Sequence, residues 1–254
     1  MVKKKLIKIV FRLQDILFVL LWHVCNYKSH NAAVEHGITT LTLCNINPTY
    51  DHWEFVKVCH EAGIKPVLGV DIRNNHHHCY LLIAKSNHGL QWFNEFLSHH
   101  LINNIAFPID PNALEHVFVI YPNNAKNIIE LNPNDQIGIK PYELQSLYNF
   151  TPTEYQLTHQ PVVIKNKEHF YLHCLLRAID QNILLSQLGS ATCCRREDVF
   201  VTPSKTLALC SRYPTPVTNT YKLLDACSME IELEVDQNQA VIRGLKRRRC
   251  CVAG

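Results

Sequence analysis

The sequence predicts an α/β fold, a βα barrel rather than a sandwich, with a looser helical segment at its C-terminal side. Two observations lead there. From His36 onward, short β-rich runs alternate with amphipathic stretches, the pattern of repeated βα units. The chain is also long enough, at 254 residues with 47% hydrophobic and 19% charged, to bury one large core.

Taken in order, Ile38 to Leu43 (ITTLTL) reads as a buried strand, and Asn45 to Thr49 as a polar loop. Asp51 to Ala62 carries Phe55, Val58, Cys59 and Ala62 at helical spacing, and Gly63 ends that helix. Pro66 to Ile72 is the next strand, joined through a hairpin at Asn74-Asn75 to a strand over Cys79 to Ala84. His88 to Leu101 reads as a helix, with Trp92, Phe93 and Phe96 on its core side. Strands follow at Val117 to Tyr121 and Ile137 to Ile139, then a helix over Pro141 to Leu147 with proline in its first turn. Val162 to Ile164 reads as the last strand, and about Glu168 to Asp180 as a helix. Beyond Leu188, Pro203, Pro214 and Pro216 punctuate short helical pieces such as Asn219 to Cys227, and this part reads as a linker or cap.

Charge and cysteine content narrow the function classes. The net charge of +3 is small and sits partly in the runs Lys3 to Lys5 and Lys246 to Arg249, so composition alone does not indicate a nucleic-acid binder. The eleven cysteines are scattered singly or as the adjacent pairs Cys193-Cys194 and Cys250-Cys251, without the C-x-x-C spacing of a zinc site. They read as reduced thiols in a cytosolic protein. The apolar start is interrupted by Lys8, Arg12 and Asp15, and its unbroken stretch, Ile16 to Trp22, is too short to span a bilayer. Cytoplasmic localisation is expected.

Clusters of histidine are weighed on geometry. His76-His77-His78, followed by Cys79, would point in different directions on a strand or turn, so the group reads as an exposed hairpin tip. His99-His100 reads as a partner of a helix C-terminus or as part of a solvated face.

The segments AVEHGITTLTLCNINPT, FVKVCHEAGIKPVLGVDIRN, LLIAKSNHGLQWFNEFLSHHL, VFVIYP, IGIKPYEL, QPVVIKNK and LHCLLRAIDQNILLSQL occur in this order. Together they resemble a divergent subgroup of the N-terminal PHP (polymerase and histidinol phosphatase) domains of bacterial DNA polymerase III alpha subunits, over about Ala32 to Glu232. The resemblance implies a PHP-type distorted barrel with its metal cluster at the C-terminal ends of the strands. In active members, His, Asp and Glu side chains hold zinc, manganese or magnesium ions that activate water on a phosphoester.

By that resemblance the ligand set is depleted. The N-terminal His-x-His has no counterpart in His23-Val24-Cys25. The Thr-Asp-His of active relatives falls on Cys44-Asn45-Ile46-Asn47, leaving Asn45 and Asn47 as vestigial positions. The acidic ligand after the next strand falls on Asp71, which keeps its charge on a shorter side chain. A later Asn-Asp-x-His falls on Ile164-Lys165-Asn166-Lys167, where two lysines oppose cation binding. No cofactor and no catalytic residue are therefore expected.

The domain organisation expected is a non-matching segment at 1–31, the PHP barrel at 32–188, a linker or helical segment at 189–239 leading toward a polymerase core, and a non-matching basic tail at 240–254. Leu21-Trp22-His23-Val24 can be written TTA TGG CAC G, and a one-nucleotide shift yields the Tyr-Gly-Thr that the subgroup carries just upstream of the match. The first segment thus reads as out of frame, and the tail is open to the same explanation.

Three functions stay open. The leading one is a structural N-terminal fragment of a DNA-directed DNA polymerase, with the rest of the alpha subunit as partner and, by family, DNA and replisome subunits, but no membrane. The others are a stand-alone metal-dependent phosphoesterase or exonuclease, and a decayed or frameshifted reading frame.

Overall fold

The computed structural model describes residues 19–20 and 34–230, apart from 76, 113–114, 124, 126–129, 147–150, 165–167 and 190–191. Its main feature is a six-stranded sheet, β2 (Thr40–Ile46), β3 (Lys65–Asn74), β4 (His77–Ala84), β5 (Val117–Pro122), β6 (Asp135–Ile139) and β7 (Gln156–Thr158), whose spatial order follows the sequence. The pairs β2–β3, β5–β6 and β6–β7 are parallel, while β4 runs antiparallel to both of its neighbours. The sheet curls into a half-barrel. Two short parallel strands, β1 (Val19–Leu20) and β8 (Gln160–Pro161), form a separate pair, and β1 also lies alongside β2.

The strands are apolar on both faces because both faces are covered. On the inner face, Cys44, Val67, Leu81, Ile83, Ile120 and Leu157 form one buried cluster. On the outer face, Ile72, Tyr80, Leu82, Val119 and Tyr121 pack against Phe93 and Leu97 of helix α2 (Asn87–Ile102). Helix α1 (His52–Glu61) supplies Cys59 to a third cluster with Leu41 and Ile64. Ile137 and Ile139 meet α3 (Pro141–Ser146), α5 (Pro203–Cys210) and α6 (Pro214–Ala226) in a fourth. Helix α4 (His169–Asp180) follows β8.

The hairpin between β3 and β4 forms where expected, with Asn75 in the left-handed region at φ 55°. The aromatic residues of α2 are core as expected: Phe93 is fully buried, and Trp92 and Phe96 pack against the same cluster. The first sheet strand runs from Thr40 to Ile46, later than Ile38 to Leu43, because Ile38 turns into the cluster beneath α1.

The last strand of the sheet needs correcting. It is Gln156–Thr158; of Val162 to Ile164 only Ile164 forms a bridge, to Val199. Gln-Leu-Thr lacks the apolar pattern of a buried strand because polar groups of α6 complete it. Asn219 Nδ2 donates to the carbonyls of Gln156 (2.7 Å) and Thr153 (3.0 Å), and the Thr220 hydroxyl accepts from the Thr158 N–H (3.0 Å) and lies 2.7 Å from its carbonyl. Helix α6 thereby covers the open edge that β7 would otherwise present.

The same helix closes one end of the half-barrel. Leu223, Leu224 and Cys227 join the inner cluster, and Lys65 Nζ, at the start of β3, donates to the carbonyls of Leu224 (2.9 Å) and Asp225 (3.3 Å). A lysine on terminal helix carbonyls satisfies orphan acceptors and complements the helix dipole. The opposite end, where β2, β3, β6 and β7 terminate, carries the polar residues described next.

Replacing Leu224 by alanine is expected to destabilise the fold by about 2–5 kcal/mol, read as a lower urea midpoint. A change within roughly 0.5 kcal/mol, as for a residue in a loose connection, would contradict the packing assigned to α6.

Candidate functional site

The register of β2 against β3 sets Ile46 beside Asp71, so the C-terminal ends of both strands meet there. Side chains alternate along β3. Val67 belongs to the inner cluster, and a Cβ on Gly69 would lie 2.5 Å from Cys44 Sγ and 2.6 Å from Ile83 Cδ1, so Asp71 continues the inner row. Gly69 is required at that close approach.

Asp71 is 1% exposed, and both of its carboxylate oxygens are engaged. Oδ2 accepts from Arg73 Nη2 (2.6 Å) and Nε (3.1 Å), and Oδ1 accepts from His78 Nδ1 (2.7 Å). Burial alone would raise the carboxyl pKa, but His78 and Arg73 outweigh it and hold Asp71 down at about 2. The pairing depends on an irregularity in the ladder: register shifts between Ile72 and Arg73, which brings Arg73 opposite His78. His78 is therefore a partner of the buried acid, which corrects its reading as part of an exposed hairpin tip; His77 does face solvent, and His76 lies outside the described residues.

Both candidate asparagines sit beside Asp71. Asn47 adopts φ 65°, a left-handed conformation that asparagine tolerates. Its Oδ1 accepts from the Arg73 N–H (2.8 Å), its Nδ2 donates to the Arg73 carbonyl (3.0 Å), and its own N–H donates to the Asp71 carbonyl (3.0 Å). Asn47 thus clamps the backbone of β3. Asn45 is fully buried; its Nδ2 donates weakly to Asp51 Oδ2 at 3.4 Å, and its Oδ1 has no hydrogen-bond partner among the described residues.

Two buried histidines that the sequence did not single out flank this end. His52 Nε2 donates to the Gly69 carbonyl (3.0 Å), and burial lowers its pKa to about 4. His159 follows β7 and packs over β6, where a Cβ on Gly138 would come within 2.8 Å of its ring. Burial, then the charges of Lys140 and His78, lower its pKa to about 3, against the pull of Asp71. The elements from the predicted strand at Val162 onward gave no cue to His159. His99 and His100 do lie in the last turn of α2, as expected, and His100 packs against Phe96 and Phe107.

This donor set does not fit a cluster of divalent cations. Among the described residues, no group of three or more His, Cys, Asp or Glu side chains is arranged to hold a metal ion. The one acid in line is already neutralised by its own neighbours, Asn45 and Asn47 are weak ligands, and Arg73 and Lys140 add positive charge. The audited positions His23 to Cys25 and Lys165 to Lys167 lie outside the described residues, as do the basic tail and nearly all of the first segment. No helix among the described residues is long and apolar enough to cross a membrane.

The titrations predict a graded loss of stability in acid. His52 and His159 stay neutral in the folded protein, so below about pH 6.5 the unfolded chain gains protons that the folded chain refuses, and stability falls with pH. Asp71 contributes about 2 kcal/mol of stability that is fully present above its ordinary 3.8 and is lost as pH falls to about 2. Urea unfolding across pH 7 to 3 should show this decline, shallower in H159Q. A flat profile would contradict the buried neutral histidines.

Compared with known families, residues 28–148 match the model of the PHP domain. The match takes in β2 to α3, with Asn45, Asn47, Asp71 and His78, whereas β7, His159 and helices α4 to α6 lie beyond it. No curated protein matches the chain. At residues 28–148, this chain contains a PHP domain.

Proposed function

We propose that this PHP domain is the N-terminal structural domain of a bacterial DNA polymerase III alpha subunit and performs no catalysis of its own. One observation carries the reading: both oxygens of Asp71, the acid that falls at a family ligand position, are consumed by Arg73 and His78. A PHP phosphoesterase needs several carboxylates and imidazoles free to share metal ions and bind the attacking water. Here the equivalent end of the barrel binds itself.

The resemblance of the ordered segments to the polymerase subgroup supports the choice of protein. Helix α4 supports a packing role, since Leu172, Leu175, Leu176 and Ile179 are between 44% and 66% exposed. Apolar patches of that kind mark surfaces that meet other protein. On this reading the partner is the remainder of the alpha subunit, and through it DNA and other replisome subunits in the cytoplasm. No resident metal is required.

The direct test is the metal content of purified, tag-free protein after incubation with zinc and manganese and desalting, together with hydrolysis of a generic phosphoester. The expected result is a folded, inert protein without bound metal. Several retained ions with hydrolysis would instead establish a stand-alone phosphoesterase. The nucleotide sequence tests the polymerase assignment separately: coding sequence for the palm carboxylates should follow, in this frame or a shifted one, and its absence would overturn it.

A further inference from the structure

Outside the barrel end, the closest set of reactive groups lies between α4 and residues 192–198. Cys193 and Cys174 of α4 line the same cavity, close enough for each side chain to affect the other's ionisation. All the described cysteines are unbridged; Cys174 is buried, and Cys193 and Cys194 are half-buried. These cysteines line an open cavity of about 890 Å³ with Phe170, Leu185 and Arg196.

The two cysteines are placed near each other by the contacts that flank them. The Cys194 N–H donates to His173 Nε2 (3.1 Å), Arg177 Nε donates to the Thr192 carbonyl (3.2 Å), and the Arg196 guanidinium lies over the rings of Phe170 (5.0 Å) and Tyr171 (5.4 Å). Helix α4 and the segment that carries Cys193 are therefore fixed against each other on both sides of the thiol pair. Disulfide formation requires just such prior placement, because its geometry is narrow.

We propose that Cys174 and Cys193 form a reversible dithiol–disulfide site that is oxidised by a peroxide entering through this cavity. Cys193, the more exposed of the pair, attacks a peroxide oxygen as the thiolate; the O–O bond breaks, water leaves, and a sulfenic acid forms. The Cys174 sulfur then attacks the Cys193 sulfur, the S–O bond breaks, and a second water leaves with the thiol proton. One peroxide is reduced and two thiols are oxidised. Burial, then the neighbouring Cys193 side chain, raise the Cys174 pKa to about 11, which suits the resolving rather than the attacking thiol. Burial raises Cys194 to about 12, which makes Cys194 a poor attacking thiol.

The experiment is oxidation of the full chain with stoichiometric hydrogen peroxide under native conditions, followed by thiol blocking, digestion and fragmentation mass spectrometry. The expected product is a linked peptide pair, lighter by two hydrogens than its parts, with the bond placed at Cys174 and Cys193 and reversed by a thiol reductant. It should survive in C194S, disappear in C193S, and give way to mixed pairings when oxidation is done in denaturant. Blocked, unlinked Cys174 and Cys193 in the native wild type, or a bond from Cys174 to Cys194 there, would overturn the assignment.

Discussion

A buried carboxylate at the end of β3 is the constraint around which this molecule is arranged. Asp71 has almost no access to water, and an isolated ionised acid could not remain there. Its partners arrive from two directions: Arg73 from two residues further along the same strand, and His78 from the antiparallel neighbour. Both depend on the hairpin at Asn74-Asn75 and on the register shift beside Ile72. Asn47 then secures the same stretch of backbone from β2. The acid is worth little as net stabilisation against an apolar substitute, but removing one partner would strand a charge, which fixes the hairpin in one register.

The two ends of the half-barrel consequently have different characters. One is apolar and shut by α6, whose leucines enter the inner cluster and whose terminal carbonyls are met by Lys65. The other gathers Asp71, Arg73, His78, His159 and Lys140, the place where barrel folds put their chemistry. Among the described residues, Asp71, Arg73 and His78 at this end satisfy one another.

Much of the fold was legible because apolar periodicity marks its strands and helices. The runs at Thr40, Pro66, Cys79 and Val117 each contain enough aliphatic residues to declare a buried strand, and Asn74-Asn75 declares the turn. Asp71 was legible only through the family resemblance, as the position on which an acidic ligand falls. His78 was not, because a register shift breaks the simple alternation from which side-chain direction is read. Neither β7 nor His159 could be found by hydropathy, since Gln156 and Thr158 are buried through hydrogen bonds supplied by Asn219 and Thr220 more than sixty positions later. For the same reason the proline-rich stretch before Cys227 reads as loose in sequence and yet finishes the core. The meeting of Cys174 and Cys193 at one cavity is likewise a matter of folding back, with no local spacing to announce it.

The central claim is that Asp71 serves as a structural charge and not as a metal ligand. It is tested most directly by thermal unfolding of the intact chain over a range of manganese concentrations, manganese being a hard cation that discriminates against the exposed thiols. A ligand that binds the folded state raises the melting temperature as its concentration rises. The account predicts a melting temperature independent of manganese; a rise that grows with manganese and is abolished in Asp71→Asn would contradict it.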